Sequence, residues 1–147
     1  MKTKKERLEI VNKVIKKIAS LDRQFFLNKK DGQVAEMLLK NGRVYFRDDY
    51  TKAEIYAYHY RYFTKFSNGG TMQALILDFS EFIRTGVSKN GKNGYCGLYC
   101  TYWGYSDEGM KAIQDYAIEL GYLEGELLWN MPYTKAMNCY KSVQQTN

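Results

Sequence analysis

The sequence predicts an α+β domain in which a small antiparallel sheet of about three strands is packed by three main helices, near 5–21, 71–85 and 107–120. Three observations carry that prediction. Apolar residues recur at three- and four-residue steps in each of the helical segments. Two strand-like runs flank an Asn41-Gly42 pair. A third run, 53–63, has tyrosine at every second position from 56 to 62. At 147 residues the chain has the length of one domain with room for a substantial core. We therefore expect one domain over 1–123, with 124–147 as a C-terminal appendage packed on it.

The first helix is set by Leu8, Val11, Ile15 and Ile18, with Val14 and Ala19 widening the stripe. Its other face is lysine. Residues 1–30 hold ten Lys and Arg against Glu6, Glu9 and Asp22, a net of +7, while the other 117 residues hold twelve basic and thirteen acidic groups, a net of −1. The formal charge of +6 thus belongs to one segment. A solvated helix face is the plain explanation. An electrostatic footprint for a phosphate-bearing partner, centred on Lys13, Lys16 and Lys17, is the functional one.

Asn41-Gly42 between "QVAEMLLK" and "RVYFRDDY" predicts a hairpin pairing 33–40 with 43–48, because both turn positions need positive φ. Val44 and Phe46 then face one way, and Tyr45 and Arg47 the other. Asp48 to Lys52 reads as a turn. In "AEIYAYHYRYF", Tyr56, Tyr58, Tyr60 and Tyr62 share one face, and Ile55, Ala57, His59 and Arg61 the opposite one. The tyrosine row reads first as the core-facing side, since aromatic stripes at strand spacing are usually packing. The other reading is an exposed stacking platform beside Arg47 and Lys65, with Tyr62 the ring nearest a ligand.

The second helix begins at "SNGGT", with Thr71 as the expected N-cap, and ends at Gly86. Glycines before a helix start can cradle an anion, so Asn68, Gly69, Gly70 and Thr71 are candidate phosphate contacts. The lysine and second glycine of the longer phosphate-binding loop are missing, and a tight turn explains the stretch as well. Residues 86–97, with the doubled "KNG", read as a flexible loop whose Lys89 and Lys92 could close over an anion. The third helix follows Ser106 as cap, has Asp107 and Glu108 in its first turn and stops at Gly121, with Trp103 anchoring its start.

Catalytic and metal readings are poorly served. The single histidine excludes a two-histidine mechanism within one subunit, and no Ser or Cys lies in a nucleophile-elbow setting. Cys96 and Cys100 are too far apart for a tight metal knuckle, and Cys139 and His59 are remote in sequence. The cysteines read as reduced thiols, and with no secretory signal or apolar run of roughly 18 residues the chain is expected to be soluble and cytoplasmic. The residues therefore point to no cofactor and no metal.

The succession "RQFF", "GRVYFRDDYT", "FSNGGT", "FIRTG" and "YWGY", running to about Leu123, resembles a family of small bacteriophage and mobile-element proteins. The resemblance implies expression during infection and adds no catalytic residue. The resulting expectation is a non-enzymatic protein that binds nucleic acid or a nucleotide signal, in a way that blocks a host defence system. An inhibitor binding a host protein directly, or a small hydrolase or nuclease, are the alternatives.

Overall fold

A computed structural model of the chain describes residues 2–58, 65–100 and 103–124. Helix α1 (Lys4–Ala19) leads into a three-stranded antiparallel sheet of β1 (Glu36–Lys40), β2 (Arg43–Arg47) and β3 (Glu54–Tyr56) in the order β1-β2-β3. Helix α2 (Gly69–Thr85), a short 3-10 turn (Gly97–Tyr99) and helix α3 (Asp107–Leu120) follow. The predicted α+β class is the observed one. Helix α1 packs against β1, α2 and α3, and α2 covers β2.

Each helix start has a local cause. Thr3 and Glu6 form a reciprocal capping box at α1, each side chain accepting the other's backbone N–H at 3.1 Å. The Ser106 hydroxyl accepts the Gly109 N–H at 3.0 Å. The Asp22 carboxylate in turn receives the Ser106 N–H at 2.8 Å and its hydroxyl at 3.0 Å. A side chain at Gly109 would fall 2.0 Å from that carboxylate, which is why a glycine stands inside the first turn of α3. The N-cap of α2 is Asn68 rather than the expected Thr71, and Gly69 and Gly70 are already helical. Asn68 is drawn there by other partners, its side chain accepting the Phe26 N–H at 3.3 Å and donating to Asp49 at 2.7 Å.

Strand register divides the sheet into two faces. Met37, Phe46 and Ile55 form one cross-strand row, buried with Val44 against Val14, Ile15, Leu75 and Phe79. Leu38, Tyr45 and Tyr56 form the opposite row, each only partly buried. For Tyr56 this corrects the expected inward-facing tyrosine row. Pairing with β2 puts Ile55 opposite Phe46 and hence inward, and Tyr56 opposite Tyr45 and hence outward. The third strand is also shorter than expected, turning at Ala57 and Tyr58, and His59, Tyr60, Arg61 and Tyr62 lie outside the described residues.

The exposed edge of β1 is closed by α1. The Asn12 side chain donates to the Met37 carbonyl at 3.0 Å and accepts the Met37 N–H at 2.7 Å, giving the edge backbone the partner that a fourth strand would supply. Arg7 performs a similar service for α2, donating to the Ile83 carbonyl at 2.9 Å and the Arg84 carbonyl at 3.5 Å at the helix C-terminus.

Candidate nucleic-acid interface

Among the described residues, none of the basic side chains of 2–30 enters an ion pair, whereas Lys40, Arg47, Lys52, Arg84, Lys92 and Lys111 all do. Two of the three acids in that segment are already committed, Glu6 to the cap of α1 and Asp22 to the start of α3. Arg7 and Arg23 are also absorbed structurally, the latter donating to the Trp103 carbonyl at 3.2 Å and lying over the Phe25 ring. The lysines remain. Lys2, Lys4, Lys5, Lys13 and Lys16 are exposed, while Lys17 is partly buried with its ammonium 5.6 Å from the centre of the Tyr116 ring.

The position of these lysines around α1 follows from the helix period. Asn12, held on the β1 edge, sits at the rim of the apolar stripe, and at about 100° per residue Lys5 and Lys16 follow it within roughly 20–40° toward solvent. Lys13 comes next, and Lys17 closes the circuit on the α3 side. The lysine face therefore begins at the side of α1 that Asn12 fixes to the β1 edge.

That outer face is built of rings and guanidinium groups. Tyr45 and Tyr56 lie 5.4 Å apart between ring centres, and Tyr56 and Tyr58 5.8 Å. Lys40 stands over Tyr45 at 5.6 Å, Arg43 over Tyr56 at 5.7 Å and Arg84 over Tyr58 at 5.8 Å, all within cation–π range. Most of the charge is internally compensated: Lys40 pairs with Glu54, Arg84 with Glu81 at 2.9 Å, and Arg47 with Glu36 at 2.9 Å. Arg43 is exposed and has no acidic partner among the described residues. The Tyr58 hydroxyl is buried beside Arg84 and Glu81 without a hydrogen bond of good geometry, and burial raises its pKa.

Other expected contacts are placed differently. Arg47 is held by Glu36 on the sheet, and Lys65 is exposed with its carbonyl accepting the Thr51 hydroxyl at 3.0 Å. Beside the α2 start stand two buried carboxylates. Asp48 accepts the backbone N–H of Tyr50, Thr51 and Ser67 within 3.0 Å, and burial pushes the Asp49 carboxyl up against the pull of the Asn68 amide, with the Asp48 charge adding to the rise. Negative charge is thus already present where Asn68, Gly69, Gly70 and Thr71 were expected to meet a phosphate. Sequence reading treated this Asp pair as turn chemistry, and the backbone bonds of Asp48 bear that out.

The loop after α2 is tied down rather than loose. Asp78, buried in α2, accepts the Gly91 N–H at 2.8 Å, the Asn93 N–H at 3.1 Å and the Asn93 side-chain amide at 2.9 Å. Burial pushes the Asp78 carboxyl up to about 6, against the pull of those donors. A cavity of about 220 Å³ lies here, lined by Asp78, Glu81, Thr85, Val87, Lys89 and Lys92. Both expected lysines line it, but Lys92 is 3.4 Å from Glu81, and two carboxylates share the space. Sequence reasoning missed Asp78, whose place inside an apolar helix face with a glycine-rich loop following was the available signal. Cys96, expected as a reduced thiol, is disulfide-bonded, while Cys100 is buried and Cys139 lies outside the described residues. An odd number of cysteines leaves one over; it does not prevent a pair.

Among the described residues no cluster of three or more His, Cys, Asp or Glu could hold a metal, and no helix is long and apolar enough to cross a membrane. No solved structure matches the chain. A protein of Bacillus subtilis (strain 168), described as "SPbeta prophage-derived uncharacterized protein YoqU", is 36% identical over 121 residues, covering 81% of this chain and 84% of that protein. The model of the YoqU family matches residues 2–147, and the chain belongs to that family.

Proposed function

We propose that this chain is a phage-derived binding protein, not a catalyst, whose partner is nucleic acid held electrostatically along α1. The observation that carries the reading is the ionic asymmetry: among the described residues the cations of the first segment enter no ion pair, and those elsewhere are mostly neutralised by carboxylates. Unpaired lysines on a rigid helix attract phosphates at little reorganisation cost, since no internal ion pair has to break first. The prophage origin of the relative supports a role during infection, in which bound nucleic acid, or a nucleotide signal, is withheld from a host defence system.

The test is a salt titration of binding to a short DNA duplex and to a single strand. Each phosphate contact contributes about 0.7–0.9 to the slope of log affinity against log salt, so changing Lys13, Lys16 and Lys17 to Gln should flatten it by roughly 2–3. The substitutions lie off the apolar stripe, so the far-ultraviolet circular dichroism should not change. An unchanged slope in the triple variant removes the reading. So does a salt-insensitive stoichiometric complex with a host protein in the absence of any DNA affinity.

A further inference from the structure

The outer sheet face has three features that a purely electrostatic surface does not need. Its tyrosines stand in cross-strand register, Tyr45 opposite Tyr56, and the Tyr58 ring in the following turn packs edge-on against Tyr56. Each ring has a cation over it, and that of Arg43 is free of any carboxylate among the described residues. The face also ends at the β1 edge, where Asn12 fixes the lysine-bearing helix to Met37.

We propose that this face takes the unpaired bases of a single-stranded nucleic acid whose phosphates run along Lys5, Lys13 and Lys16 of α1. The proposal rests on the reading of α1 as a polyanion surface and adds the class of strand. Bases splayed from a single strand stack on aromatic rings and on guanidinium planes alike, so the mixed tyrosine and arginine surface offers both kinds of seat. A duplex keeps its bases stacked inside and could use only the lysines. Charge complementarity favours the same occupant, because the cations are concentrated at the α1 border while the tyrosine row itself is nearly balanced. Bases at the rings and phosphates at the lysines is the division of labour found where backbone and bases are bound separately.

Three probes separate the contributions: a short oligothymidylate, a duplex of the same length, and inorganic polyphosphate, which has the charge but no bases. Wild-type protein should bind the oligothymidylate at least about tenfold more tightly than polyphosphate of equal charge. Tyr56→Leu should weaken oligothymidylate binding by roughly 5- to 150-fold, since loss of one stacked base is worth that ratio, and leave polyphosphate binding unchanged. Tyr56→Phe keeps the ring and should keep the affinity. Arg43→Gln, at an exposed position, provides a second reading that does not touch packing.

Equal affinity for oligothymidylate and polyphosphate, with no effect of Tyr56→Leu or Arg43→Gln, overturns the proposal and leaves the electrostatic reading of α1 standing. Absence of binding to all three probes removes both. Loss of a host-protein complex in the tyrosine variants, with oligothymidylate affinity intact, assigns the face to a protein partner and likewise overturns the proposal.

Discussion

The lysine face of α1 and the outer face of the sheet both reach the β1 edge that Asn12 holds, yet handle charge in opposite ways. On α1 the exposed ammonium groups have no carboxylate partner among the described residues. On the sheet, Lys40 and Arg47 each have a carboxylate partner, as does Arg84 of α2 beside Tyr58, and Lys40, Arg43 and Arg84 stand over tyrosine rings. The first arrangement acts at long range and weakens with salt; the second acts at contact and depends on shape. Counting basic residues would not have separated them.

The comparison can be broken most forcefully at the sheet itself. Phe46→Ala removes a ring from the buried row and should cost about 3–5 kcal/mol of unfolding free energy, whereas Tyr45→Ala, one residue away on the outer row, should cost well under half as much. Denaturant unfolding of both variants measures it. Similar losses would mean that the outer face is packed as tightly as the inner one.

A second effect concerns the loop beside Arg84 and Lys92, which Asp78 holds in place. Its carboxyl is raised to about 6 in the folded chain from an ordinary 3.8, so the folded state binds the proton more strongly than the unfolded state does. The sign follows: stability from this group is greatest below about pH 4, is lost as pH rises to about 6, and the full cost, up to about 3 kcal/mol, is present above that. Asp78→Asn should remove that part of the pH dependence, read as the difference between wild-type and variant unfolding curves from pH 4 to 7. Parallel curves would show that the loop donors fully offset burial.

The junction between the two surfaces is Asn12. Asn12→Ala leaves the Met37 N–H and carbonyl without their partner and should cost about 1–3 kcal/mol. If the surfaces act together, the same variant should weaken single-strand binding more than duplex binding. The smallest expected change sharpens the contrast in charge. Glu81→Gln releases both Arg84 and Lys92 and should leave stability within about 1 kcal/mol, because exposed ion pairs contribute little. It should steepen the salt dependence of polyanion binding by giving the sheet side the unpaired cations that α1 already has. No change in slope would mean that pairing is not what distinguishes the two faces.

Local rules made the helices legible. Ser106 ahead of Asp107 and Glu108, and Gly86 and Gly121 at the stops, are short-range signals, and the structure uses all of them; the Thr3–Glu6 box is equally local, while Ser106 is further held by Asp22. The Asn41-Gly42 hairpin belongs to the same class, with both residues at positive φ. The exception is informative. Thr71 was the better cap on local grounds, but Asn68 has the position because Phe26 and Asp49, remote in sequence, engage its side chain.

The sequence by itself determined that the basic charge is concentrated in the first thirty residues and that tyrosines alternate after position 55, because both are facts of order along the chain. It could not determine which side of the third strand is buried. That choice was made by register, since pairing Ile55 with Phe46 sends one set of side chains under the helices and the other outward, and a shift of one residue would exchange them. Nor could it determine which cations remain unpaired. Ion pairs such as Lys52 with Asp31 and Arg47 with Glu36 join residues distant in sequence, and only the folded chain brings the opposite charges within reach while leaving the lysines of α1 without them.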